Sequence, residues 1–242
     1  MFKTNPLTIA SKIHWEIIEQ YNTDIDLWYN ENNNEKRTDG RFYIILKTDV
    51  GTRDVVTADI INYSYGDQTY FTISTNENNW DSESFVVVND YLLIFSKNWI
   101  NHEVDVYAIP NSVGNHSAIK VSNYNTQGLI TGADLVDSNK IYLSGYSASN
   151  ITPFLIEIYD LNISAPSNLD VFLNSYTVKL NNFLPFGNQV EGISYIETIG
   201  SKDVLYISNE KLVISVLTFP SKLRELTIDN STLNTYSIPE ED

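Results

Sequence analysis

The stretch Asp81-Ser82-Glu83-Ser84-Phe85-Val86-Val87-Val88-Asn89-Asp90-Tyr91-Leu92-Leu93-Ile94-Phe95-Ser96-Lys97-Asn98-Trp99 decides the fold. Two runs rich in β-branched and aromatic residues are separated by only Asn89-Asp90, the spacing of a tight β-hairpin. An acid stands near the head of the first run, and a polar cluster ends the second. Strands are expected over 84–88 and 91–96, followed by 104–109 and 118–124.

The same phrase recurs on both sides. Its other copies begin at Trp15-Glu16-Ile17-Ile18, Gly132-Ala133-Asp134-Leu135 and Val190-Glu191-Gly192-Ile193. The first unit predicts strands over 15–21, 25–29, 41–47 and 55–63, with an Asn-rich loop over 30–40. The third predicts 133–136, 140–145, 154–161 and 176–180 around a turn at 137–139. The fourth predicts 192–196, 204–208, 222–228 and 235–238. Segment 211–220 is apolar and irregular, and is expected to connect strands while covering the core.

A repeat of this kind sets the architecture. A four-stranded sheet cannot bury both faces alone, and radial packing of such sheets around a channel does so. The expectation is an all-β chain: a single β-propeller domain over residues 1–242 with four recognisable four-stranded blades. A β-sandwich is the alternative. No Gly/Ser linker divides the chain.

Charge narrows the partners. The chain carries 31 acidic against 15 basic side chains, a formal charge of −16, which repels phosphate backbones and attracts cations or basic partners. Nucleic acid is therefore not an expected partner. There are no cysteines, so disulfides, thiol catalysis and Cys-based metal sites are excluded. Three histidines, His14, His102 and His116, are too few for a His-rich metal site. No apolar window reaches the ~18 residues of a membrane span, and Met1-Phe2-Lys3-Thr4-Asn5-Pro6 does not read as a signal peptide.

In a propeller the first strand of each blade lines the channel. The repeat then places Glu16, Glu83, Asp134 and Glu191 in equivalent positions. Carboxylates converging on one channel raise one another's pKa or recruit a hard cation such as Ca²⁺. The alternative is that they bond to backbone amides and merely fix the blades. Glu83 and Lys97 stand 14 residues apart, an acid at one strand's start and a polar group at the next strand's end. Such a pair shares one end of a hairpin, so Asn98, Trp99, Tyr146 and Asn209 are expected at the same mouth, as ligand-gripping groups or as ordinary turn residues. No Gly-x-Ser-x-Gly elbow or phosphate-cradling loop is present.

Several phrases carry a resemblance. They are Trp15-Glu16-Ile17-Ile18-Glu19-Gln20, Asp81-Ser82-Glu83-Ser84-Phe85, Phe95-Ser96-Lys97-Asn98-Trp99, Gly128-Leu129-Ile130-Thr131-Gly132-Ala133-Asp134, Gln189-Val190-Glu191-Gly192-Ile193 and Tyr206-Ile207-Ser208-Asn209-Glu210. In order, these resemble a family of bacterial exported β-propeller proteins of largely unknown function. The chain departs from that pattern at Ile17 and in its Gly-free loop over 30–34. The resemblance implies five blades, against the four legible here, and hence a shortened or incomplete ring. It also implies an extracellular or cell-surface location. By architecture the chain is more distantly similar to calcium-dependent lactonases and esterase-like phytases.

Two functions follow as expectations. One is a non-catalytic propeller whose acidic mouth, built from Glu83, Asp134, Glu191, Asn98, Tyr146 and Asn209, binds a small-molecule or protein ligand. The other is a hydrolase whose Glu16, Glu83, Asp134 and Glu191 hold one Ca²⁺ ion. Open blade edges would favour self-association.

Overall fold

The structure is a computed structural model that describes residues 25–29, 40–46, 57–71, 76–231 and 235–237. The described residues form strands and turns, with no helix long and apolar enough to cross a membrane. The chain is all-β.

The opening hairpin folds as its spacing requires. Strand β4 covers Asp81–Val88 and β5 covers Tyr91–Lys97, joined by Asn89-Asp90. Asn89 takes a left-handed backbone (φ 53°), a conformation Asn tolerates better than most residues. Strands β6 (Val104–Pro110) and β7 (Gly114–Tyr124) complete an antiparallel meander.

The third unit repeats this with β8 (Leu129–Asp137), β9 (Lys140–Tyr146), β10 (Pro153–Tyr159) and β11 (Tyr176–Asn181). Asp137 Oδ1 accepts the Asn139 N–H at 2.7 Å and closes the predicted turn. The fourth unit is β12 (Val190–Ile199), β13 (Lys202–Asn209), β16 (Lys222–Asp229) and β17 (Thr235–Ser237). Between β13 and β16 lies a separate hairpin of β14 (Leu212–Ile214) and β15 (Leu217–Phe219). Segment 211–220 therefore does not cover the core as expected. Its tip residue Val216 is 90% exposed.

The first unit differs most from expectation. Its strand β1 (Ile25–Tyr29) pairs with β2 (Gly40–Leu46), and β2 with β3 (Asp59–Tyr65). Strand β3 then pairs in parallel with β7, so these strands extend the second unit's sheet instead of forming one of their own. The predicted strand over 15–21 lies outside the described residues.

The resulting seven-stranded sheet curls back over itself. Phe42 and Ile61 of β2 and β3 pack on Phe85, Leu92, Ile94, Tyr107 and Ile109 on one face of β4–β6. The other face of β4–β6 packs on β8–β10 through Val86, Leu93, Phe95 and Val106 against Ile130, Leu143 and Ile156. The far side of the third sheet meets the fourth through Tyr142 and Leu155 against Ile193, Leu205 and Ile207. Both faces of the middle sheets are thus buried. That is why β5, β6 and β9 read as continuous apolar runs while β7 alternates.

The first strands of the last three units run beside one another, β4 against β8 and β8 against β12. Each carries a one-residue bulge near its start. The bulged residues are Glu83, Thr131 and Glu191. A small residue follows each bulge, Ser84, Gly132 or Gly192, and at the two glycines a serine of the next strand, Ser144 or Ser208, sits directly above. A Cβ on Gly132 would lie 2.6 Å from Ser144 Oγ and 3.1 Å from the Ile193 backbone N. Ser144 Oγ is itself buried without a hydrogen-bond partner. Gly132→Ala is therefore expected to cost about 1–3 kcal/mol by overpacking. Ser144→Ala should be close to neutral, because the lost hydroxyl is unpartnered. The double variant should recover part of the loss. Urea unfolding of the three variants checks the order.

Candidate functional site

The bulges aim Glu83 and Glu191 at one place from two different sheets. A bulge re-aims a side chain without ending the strand. Lys97, at the end of β5, enters the same place, and its ammonium bonds both Glu83 oxygens at 2.8 and 2.7 Å. The Lys97 and Glu83 side chains are only 4% and 8% exposed. Two rings flank the ammonium, Trp99 at 5.0 Å and Tyr146 at 5.4 Å from their centroids. Trp99 is held by its indole N–H donating to Asp81 Oδ2 at 2.9 Å.

Glu191 completes the cluster. Its Oε1 accepts a hydrogen bond from Gln189 Nε2 at 2.6 Å, and the same amide reaches the Tyr146 hydroxyl at 3.2 Å. Glu83 is the neighbouring acid that acts on the Glu191 carboxyl. On its other side Glu191 lines an open depression of about 470 Å³ with Ser208, Asn209, Glu210, Lys211 and Ser221.

The charges follow from this arrangement. Burial raises the Glu191 pKa, Lys97 lowers it, and Glu83 raises it again by repulsion and by hydrogen bonding. The net result is a carboxyl held well above the usual range. Burial opposes the charge on Lys97. Glu83, with help from Glu191, Tyr146 and Asp81, outweighs it and keeps the ammonium firmly protonated. The Tyr146 hydroxyl is pushed up by burial, with Lys97 opposing, and does not ionise in the neutral range. The cluster thus sets one ammonium among two carboxyls, and Glu191 is the one whose proton burial and repulsion favour.

Asp134 does not belong to this cluster. It lies three residues beyond the bulge of β8, where its Oδ1 accepts the Leu135 N–H at 2.8 Å and its Oδ2 the Tyr195 N–H at 2.6 Å. It ties β8 to β12 through backbone amides, the structural role weighed for these acids. The position equivalent to Glu83 and Glu191 is held by Thr131, whose hydroxyl donates to the Val190 carbonyl at 2.6 Å. The fourfold set of acids is thus corrected in its third copy. The cause is that the extra residue of a bulge shifts the phase.

Asn209 lines the depression, yet its own groups are engaged. Its Nδ2 donates to the Glu210 and Pro220 carbonyls, and its Oδ1 accepts from Arg224 at 2.6 Å. Asn98 is wholly buried, accepts from Ser96 Oγ, and leaves its amide nitrogen unpartnered. Glu16 lies outside the described residues. Among the described residues, no three Asp, Glu or His side chains are grouped to hold a metal ion. The Lys97 ammonium lies where the acids converge.

Sequence reasoning missed Gln189 and Thr131 and gave Lys97 no charge partner. The usable signal was the small residue after each bulge, which aligns Glu83-Ser84, Thr131-Gly132 and Glu191-Gly192.

A second polar network also went unseen. Asp203 on β13 is buried, and its Oδ2 accepts from Lys140 at 2.8 Å and from the Tyr142 hydroxyl at 2.7 Å. Its Oδ1 accepts from Thr198 at 2.7 Å, and Lys140 also reaches Glu157 at 3.1 Å. This network bolts the third sheet to the fourth. It is far along the strands from the bulges and is structural.

No family model matches the chain. No curated protein matches it.

Proposed function

We infer that the chain is a non-catalytic β-propeller protein that binds a polar ligand or partner at the mouth formed by Glu83, Lys97, Tyr146 and Glu191. One observation carries this reading: Lys97 occupies the convergence point of the repeated acids and neutralises one of them. A catalytic pair needs an acid or base left available to a substrate, and a Ca²⁺ site needs several free oxygen ligands. The adjoining depression is lined by the hydroxyls of Ser208 and Ser221 and by Glu191, Glu210 and Lys211, groups suited to hydrogen bonding and charge pairing with a polar ligand. The propeller itself is supported by the three four-stranded meanders and the side-by-side packing of their first strands. The exported location rests on the family resemblance alone.

The test has two arms. Wild type and Glu191→Gln are assayed on p-nitrophenyl acetate, p-nitrophenyl phosphate and a γ-lactone, with and without Ca²⁺. Equal background rates are expected. Turnover that Ca²⁺ stimulates and Glu191→Gln abolishes would overturn the reading in favour of a hydrolase. In the second arm, glycan and peptide arrays are probed with wild type and with Lys211→Trp, which fills the depression. Binding lost in the variant supports the mouth as the binding surface, and undiminished binding places recognition elsewhere.

A further inference from the structure

A second site stands apart from the mouth cluster, at the turn after β3. Gly66 N–H bonds the Ala118 carbonyl at 2.9 Å and anchors this turn to β7. Asp67 follows. Its Oδ1 accepts the Trp80 indole N–H at 3.0 Å and its Oδ2 accepts the Tyr107 hydroxyl at 3.1 Å. Trp80 is partly buried against the hydrophobic core that holds Phe85 and Leu92, and its backbone N–H is fixed by Asn78 Oδ1 at 2.7 Å. The indole is therefore locked in place before any ligand arrives.

Tyr70 meets Trp80 at 5.0 Å between centroids and 77° between planes, forming a corner of two rings. Tyr70 is 45% exposed and the neighbouring Phe71 46%. Neither ring is needed to fill the core, and holding exposed aromatic surface in a fixed corner costs solvation. Asp67 is exposed, and among the described residues each oxygen takes one neutral donor, which leaves further lone pairs. Among the described residues its two bonded partners, an indole and a phenol, carry no positive charge.

We propose that Tyr70, Trp80 and Asp67 form a binding corner for an organic ammonium group. Ring faces attract a cation through their quadrupole, and a nearby carboxylate adds charge. Alkylammonium groups suit such a corner because they are weakly hydrated. A Ca²⁺ or Mg²⁺ ion demands several oxygen ligands that the corner lacks. The chain's −16 charge enriches cations at its surface. The ligand chemistry is shared by choline headgroups of lipids and by methylated lysine side chains.

The test follows the Trp80 indole N–H signal by NMR on the full chain while tetramethylammonium chloride is added, with sodium chloride at matched ionic strength as reference. A saturable shift specific to tetramethylammonium is expected. Tyr70→Ala and Asp67→Asn, both at exposed positions and checked for fold by circular dichroism, should each weaken it by about five- to tenfold. An identical response to sodium, or undiminished binding by both variants, would overturn the assignment. Phosphatidylcholine vesicles and a trimethyl-lysine peptide, each against its unmethylated counterpart, then name the source. Binding of neither methylated probe would also overturn it. None of these outcomes depends on the mouth reading, since the two sites share no residue.

Discussion

Lys97→Met is expected to destabilise the protein by about 3–5 kcal/mol near neutral pH, the cost of removing one partner from a buried ion pair. Methionine fills much of the same volume, so packing alone does not produce this loss. The cost arises because Glu83, 8% exposed, keeps a buried charge with no ammonium bonded to it. One further result separates this from simple damage. Adding Glu83→Gln should restore much of the stability, because a neutral amide needs no counter-charge. Chemical unfolding of the single and double variants reads both outcomes. A loss with no rescue would mean that Lys97 acts through packing.

Asp203→Ala should also be severe, at about 2–3 kcal/mol, by leaving the buried Tyr142 hydroxyl without its acceptor and taking from the half-buried Lys140 ammonium one of its two carboxylate partners. Burial raises the Asp203 pKa, but the Lys140, Thr198 and Tyr142 hydrogen bonds outweigh it and hold the group below its ordinary 3.8. The sign follows from linkage. A depressed carboxyl adds stability above the unfolded value and loses it as pH falls through the folded one. Wild type should therefore keep this contribution down to the lower edge of the carboxylate range, and Asp203→Ala should lack it. Acid unfolding curves that converge as pH falls below the ordinary carboxylate value would agree. Variant curves parallel to wild type would count against the network.

The hairpins were legible because turn chemistry is local. Asn89-Asp90 and Asp137–Asn139 were placed correctly, and the strands that follow start where the apolar runs start. Both-sided burial was legible too, in the continuous runs of β5 and β9. Three things were not. The parallel pairing of β3 with β7 joins residues about 50 positions apart, and no local pattern encodes it. Segment 211–220 looked like a core cover because it is apolar, yet it forms a hairpin with Val213, Val216 and Leu217 exposed. The third copy was misphased because Asp134 is an acid and Thr131 is not, although position in the bulge decides where a side chain points. The convergence of Glu83 and Glu191 survived, since both are bulged residues. Their shared lysine was visible 14 residues from Glu83 but had no assigned partner until the strands were paired.

The cluster's central property is that burial and Glu83 push the Glu191 carboxyl well above its ordinary range. A carboxyl whose folded pKa is raised binds its proton more tightly in the folded state. Its contribution is therefore full below the unfolded value, near 4.5, and is lost as pH rises towards the folded one. The most direct measurement is unfolding free energy from pH 5 to pH 9 for wild type and for Glu191→Gln, which keeps the neutral hydrogen-bonding shape. The difference between the two curves cancels what they share and isolates position 191. Wild type should lose stability relative to the variant with a slope of up to about 1.4 kcal/mol per pH unit. Parallel curves, or a wild type that gains on the variant as pH rises, would show that folding does not raise the Glu191 pKa.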